Sequence, residues 1–127
     1  MNQHNVKFYS DGLQLDGSFY TDEQVDNKEL PIVIVCSGFT GMKNIHPERF
    51  ARAWTKQGFT VFGFDYRGFG ESEGERERVI LEEQVRDIAN AVAVVSERAV
   101  AEKRKLFLAG WGMAGGLILD TYRICED

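Results

Sequence analysis

Three short runs of apolar residues divide the chain and predict buried strands. They are IVIVC at 32–36, FTVFGF at 59–64 and KLFLAG at 105–110. Each is continuous rather than alternating and rich in β-branched or aromatic residues, which is typical of strands that are covered on both faces. The central strands of one sheet are therefore expected here.

Helical spacing of apolar positions fills the gaps between these strands. A first helix is predicted to start near Pro47, to carry Phe50, Ala53, Trp54 and Gln57 at helical spacing, and to end at Gly58. A second covers 81–101, where apolar residues recur every three or four positions and the charged residues, Asp87 among them, are assigned to the outer side. A third runs from Met113 to about Ile124.

The amino-terminal residues alternate between apolar and polar. Residues 6–10 and 13–20 flank an Asp11-Gly12 turn and predict an antiparallel hairpin at a sheet edge. With strands and helices alternating after it, the expected fold is a single α/β domain over 1–127. It has three layers, α/β/α, around a mostly parallel sheet of about five strands.

The charge composition of the chain excludes some classes of binding partner. A net charge of −5 with acids and bases interspersed provides no basic patch, so neither nucleic acid nor an anionic membrane is an expected partner. The basic run at 103–105 is interpreted as a helix C-terminal charge cluster. No apolar run reaches the ~20 residues that span a bilayer, residues 1–8 have no signal-peptide core, and a cytoplasmic location is the expectation.

Chemistry is expected where the parallel strands end, because ligands bind beyond the carboxyl ends of such strands. Three loops, 37–46, 65–78 and 110–114, meet there. Their sequences are CSGFTG, DYRGFGESEG and GWGMAGG. These resemble, in order, the H-G-x-x-G oxyanion loop, the D-x-R-G-x-G-x-S signature and the G-x-S-x-G-G nucleophile elbow of the α/β-hydrolases. The resemblance covers the whole chain but only the first half of that fold. Within the family, the chain is most similar to the peptidase and dienelactone-hydrolase branches.

The resemblance places Gly112 at the nucleophile position, with Gly110 and Ala114 at the flanking positions that must be small. Glycine accepts a positive φ but has no atom that could attack a carbonyl. Gly112 is therefore interpreted first as part of a tight strand-to-helix turn, and second as a functional substitution. The acid and histidine that follow the elbow in the family have no counterpart before Asp127.

Other candidate nucleophiles and bases are few. His4 is assigned to a disordered terminus and His46 to the cap of the first helix, and no base lies near Cys36 or Ser37. Cys36 and Cys125 are expected to be reduced, although they could in principle form a disulfide.

Without a nucleophile, the resemblance still implies a binding pocket and the loop residues that hold it in place. It implies an oxyanion hole from the backbone N–H groups of Phe39 and Met113. Pocket-lining residues would be Ser37, Gly38, Thr40, His46 and Trp111. Asp65, Arg67, Gly68, Gly70 and Ser72 are assigned to the structure of the second loop, with Arg67 binding carbonyl groups. The charged run at 71–83 is interpreted as a solvated approach to the helix, or alternatively as a lid or partner surface. No metal or cofactor motif is present in the sequence.

In the family the strand at 105–109 lies inside the sheet, so here it would expose an edge. A second copy of the chain or a separate polypeptide is expected to pair with it. Three functions are compatible with these features. The first is a hydrolase relative that is inactive or weakly active alone, from a lineage that acts on ester, thioester or amide bonds. The second is a module that binds a small acyl or carboxylate ligand, or binds a partner through the strand edge, and the third is a subunit of a split enzyme that works without a covalent nucleophile.

Overall fold

A computed structural model of the chain describes residues 1–38, 41–110, 112 and 114–124; at 120 and 122–124 it describes the backbone alone. In chain order the elements are β1 (Asn2–Ser10), β2 (Leu13–Thr21), β3 (Ile32–Cys36), α1 (His46–Thr55), β4 (Thr60–Phe64), α2 (Leu81–Ala101), β5 (Leu106–Gly110) and α3 (Ala114–Ile124).

The five strands form one sheet in the order β1-β2-β4-β3-β5. β3 pairs in parallel with β4 on one side and β5 on the other, whereas β2 is antiparallel to both β1 and β4. The α/β fold class with an antiparallel hairpin at one edge is confirmed, with parallel and antiparallel pairings in equal number. β5 forms the opposite edge.

β3 lies in the sheet, which is the middle of the three layers, and all five of its residues are buried. Ile32, Ile34 and Cys36 face the core beneath α2 and α3. Val33 and Val35 face the smaller core beneath α1. Both faces of the strand are therefore covered, as its continuous apolar run predicted.

The hairpin extends further toward the amino terminus than predicted. β1 begins at Asn2 rather than Val6, and His4 pairs with Phe19, so His4 lies in the sheet and not in a disordered terminus. Asp11 and Gly12 both have positive φ, 51° and 78°, which is typical of a two-residue turn that matches the strand twist. This turn places Ser10 opposite Leu13, and the same register continues without a break to Asn2 opposite Thr21.

The buried face of α1 does not include Ala53 and Gln57, which are exposed. The buried residues are Pro47, Ala51 and Thr55. They are spaced by four, and their small size allows close contact with β4, where a Cβ added at Gly63 would lie 2.9 Å from the Pro47 Cβ.

The amino-terminal cap of α1 is Ile45, and the helix begins at His46, so the prediction that His46 caps it was wrong. The basic run at 103–105 lies at the carboxyl end of α2, as predicted, with Arg104 N donating to Ala99 O at 2.8 Å. α2 ends at Ala101, and Arg104 is buried beyond it, donating to Leu30 O at 2.8 Å and to Thr60 Oγ1 at 2.8 Å. Among the described residues no helix combines the length and apolar character that a membrane crossing requires.

Candidate functional site

The parallel register places the ends of the central strands at one edge of the sheet. Cys36 is opposite Gly110, and Val35 is opposite Gly63. The loops after β3 and β4 then contact each other directly: the Tyr66 hydroxyl donates to Ser37 O at 2.9 Å, and Lys43 N donates to Asp65 Oδ1 at 2.7 Å. The structure thus brings together the described parts of the loops after β3 and β4.

The turn between β5 and α3 has the close packing of a sharp elbow. A Cβ added at Gly110 would lie 2.5 Å from Ile118 Cδ1 and 2.9 Å from backbone atoms of Ala114, so only glycine fits without a shift. Ala114 is fully buried at the start of α3, and Gly115 N donates to Gly112 O at 3.2 Å. The small residues on either side of Gly112 are therefore required by the packing of strand against helix.

Gly112 itself is different. It is exposed, with φ 57°, and a Cβ added there would meet no atom of the described residues within 4 Å. This conformation costs a residue with a side chain about 1–3 kcal/mol. Among the described residues nothing fills the space that a side chain at 112 would enter, so the turn lacks a reactive group there.

Four of the predicted pocket positions lie outside the described residues. These are Phe39, Thr40, Trp111 and Met113, and with them both backbone donors of the predicted oxyanion hole. His46 is half-buried at the start of α1.

Cys36 and Ser37 are enclosed at the end of β3. Burial raises the pKa of the Cys36 thiol to about 12. The Ser37 hydroxyl is buried and has no hydrogen-bond partner among the described residues. A Cβ added at Gly41 would lie 2.6 Å from the Ser37 Cβ, and Gly41 N donates to Gly38 O at 3.2 Å, so this loop folds tightly over Ser37. Neither side chain is placed as a solvent-facing nucleophile.

Asp65 joins the loops after β3 and β4. Its carboxylate accepts hydrogen bonds from Lys43 N at 2.7 Å and Glu71 N at 3.1 Å. Burial raises the pKa of Asp65, against the lowering effect of these two donors. A Cβ added at Gly70, where φ is 52°, would lie 2.3 Å from Asp65 Oδ2, so Gly70 must be glycine for the carboxylate to reach both amides.

Ser72 fixes the same loop to the sheet. Its hydroxyl donates to Asp65 O at 2.6 Å and accepts from Asp16 N at 2.8 Å. Asp16 in turn pairs with Lys43 Nζ at 3.1 Å and Lys7 Nζ at 2.8 Å. The signature 65–74 is thereby bound to β2 and to the loop after β3.

The contacts of Arg67 correct the sequence prediction. Its described hydrogen bonds are not with carbonyl groups: it donates to Asp87 at 2.8 Å, to Asp11 at 2.7 Å and to Ser10 Oγ at 3.4 Å. Burial opposes the charge of Arg67, yet these two carboxylates raise its pKa well above its usual value. Asp87 is completely buried, although helical spacing assigned it to the solvent side of α2.

Arg76, which sequence reasoning missed, binds the carbonyl groups of this loop. Its guanidinium donates to Gly70 O at 3.1 Å and to Ser72 O. Gly68 also accommodates the tight path, because a Cβ there would lie 2.3 Å from Glu75 O. The alternating acids and bases at 75–78 were the only signal, and they resembled a solvated run.

The sheet has a parallel centre, is covered on both faces by helices and carries a glycine-flanked turn between β5 and α3, an arrangement that matches the α/β-hydrolase fold. Residues 27–125 match the family described as serine aminopeptidase, S33, and the chain belongs to that family.

Relatives support this membership. The chain is 38% identical over 95 residues to an uncharacterized 31.7 kDa protein in the traX-finO intergenic region of Escherichia coli, covering 75% of this chain and 33% of that protein. It is 32% identical over 105 residues to the thiohydrolase aneE of Aspergillus aculeatus, covering 82% and 31%. The chain thus spans about a third of the length of these curated relatives.

Among solved structures, the hypothetical protein PA2218 from Pseudomonas aeruginosa superposes with a TM-score of 0.85 at 22% identity. The match covers 98% of this chain and 40% of that one. At this identity the likeness shows the fold alone.

Proposed function

We propose that this chain is a hydrolase relative that has lost covalent catalysis, and that alone it hydrolyses ester, thioester or amide bonds weakly or not at all. The observation that carries the proposal is Gly112: the position that presents the attacking side chain in the family is exposed, has the required positive φ, and carries only hydrogen. Similarity to a thiohydrolase supports acyl bonds as the chemistry of the lineage.

No neighbouring group of the described site replaces the missing nucleophile. Covalent acyl transfer needs a solvent-accessible nucleophile with a base in reach. Cys36 and Ser37 are both buried, and burial holds Cys36 as the neutral thiol. Backbone donors at the turn could still contribute, since enzymes without their triad retain roughly 10³–10⁴-fold acceleration over water.

The test is hydrolysis of p-nitrophenyl acetate and of a matched aryl thioester, with intact-mass measurement after mixing. Wild type and Gly112→Ala are expected to show equal rates, at most about 10⁴-fold above buffer, and no acetyl adduct. His4→Ala, at an exposed position on β1 at the far edge of the sheet, serves as the control and is expected to change neither readout. An acetyl adduct on the wild-type chain, or turnover of about 1–10³ s⁻¹, would contradict the proposal.

A second candidate function is assembly through β5, favoured by the position of this strand at the sheet edge. Its backbone has no strand partner on the side away from β3 among the described residues, and its burial is incomplete throughout. Pairing with a second copy or a separate polypeptide would cover this edge. Mass measurement in solution tests it: the chain is expected to self-associate or, with a separate polypeptide present, to form a heavier complex with it, and a chain that stays monomeric in both cases would contradict it.

The split-enzyme alternative differs in what a partner would bring. If a second chain supplied acid and base for direct attack by water, adding it would restore turnover without an acetyl adduct. If the chain only binds a small carboxylate at the elbow, acetate or benzoate would raise its melting temperature with no turnover.

A further inference from the structure

We draw no further inference here: the strongest candidate, the buried side-chain amide of Gln84 on the first turn of α2, has no hydrogen-bond partner among the described residues, but nothing in that part of the chain shows what would bind it.

Discussion

Single residues of the elbow differ in what their surroundings permit. At Gly110 the helix that follows leaves no room for a Cβ, whereas at Gly112 no atom of the described residues lies within 4 Å of an added Cβ. The first glycine is required by packing and the second is not. The chemistry of the site therefore changes at one position while the shape of the turn is retained.

Cys36 is expected to be unreactive in the folded chain. Burial raises its thiol pKa to about 12, so the thiolate is scarce at neutral pH, and no path from solvent reaches it. In a Cys125→Ser variant, iodoacetamide should modify Cys36 only after unfolding in urea. Denatured protein is the control, and rapid labelling of the native variant would contradict the burial of this thiol.

Elements are held together here by buried charge as well as by apolar contacts. The Arg67 guanidinium contacts Asp87 on α2 and Asp11 in the β1–β2 turn, so one side chain links the loop after β4 to a helix and a hairpin. Ser10 joins the same group through its bond to Asp87 Oδ1 at 2.7 Å. This network supports the loop that carries Asp65.

Removal of the buried carboxylate should be costly. Asp87→Asn leaves Arg67 buried with less compensation, and we expect the free energy of unfolding to fall by about 3 kcal/mol. Urea denaturation measures it. Glu82→Gln, an exposed position on the first turn of the same helix, is the matched control and should change stability by less than about 0.5 kcal/mol. Equal effects of the two substitutions would show that the pair does not stabilise the fold.

Asp11 should make stability depend on pH. Hydrogen bonds from Arg86 and Arg67 lower its pKa below 3.8, so its ionised form is favoured by folding. Its contribution is present above that value and is lost as the pH falls through the lower, folded-state pKa. The urea midpoints of wild type and Asp11→Asn should differ at neutral pH and converge well below pH 3.8. A difference that persists in acid would contradict this ionic origin.

Across the whole molecule, the two sides of the sheet differ in how far their strands are shielded from solvent. β3 is paired on both sides and buried on both faces, whereas β5 is paired only with β3 among the described residues and is exposed at Phe107. The ends of the sheet also differ, because β1 exposes mainly polar side chains at the other edge and β5 exposes apolar ones. The β5 edge is the one that a partner would cover.

Hydrogen exchange should report this asymmetry. Amides at 106–110 are expected to exchange faster than those at 32–36 in the isolated chain, since part of the β5 backbone faces solvent. Residues 17–20 of β2, which pair with β1 on one side and β4 on the other, serve as an internal reference for a fully paired strand. Protection of 106–110 equal to that of 32–36 would show that the β5 edge is already covered in solution.

Local sequence patterns predicted the elements correctly where a residue's burial followed from its own type and spacing. The β-branched run at 32–36 and the apolar spacing at 81–101 predicted β3 and α2 with their observed bounds. They failed for Asp87, because a charged residue on a helix is assigned to solvent unless its partner, here Arg67, is known. They did not identify the buried face of α1, because Ala51 and Thr55 are buried for their small size, which hydrophobic spacing does not register.

The sequence by itself determined the order of the strands and helices, the glycines that mark the loops, and the absence of any reactive atom at Gly112, because each depends only on residue type and neighbours in the chain. Only the tertiary structure decided that Asp87 is buried, that Arg76 and not Arg67 binds the loop carbonyls, that Gly112 is exposed, and that Phe107 is exposed on β5. Those properties depend on which distant segments meet, and strand pairing and crossover geometry set that.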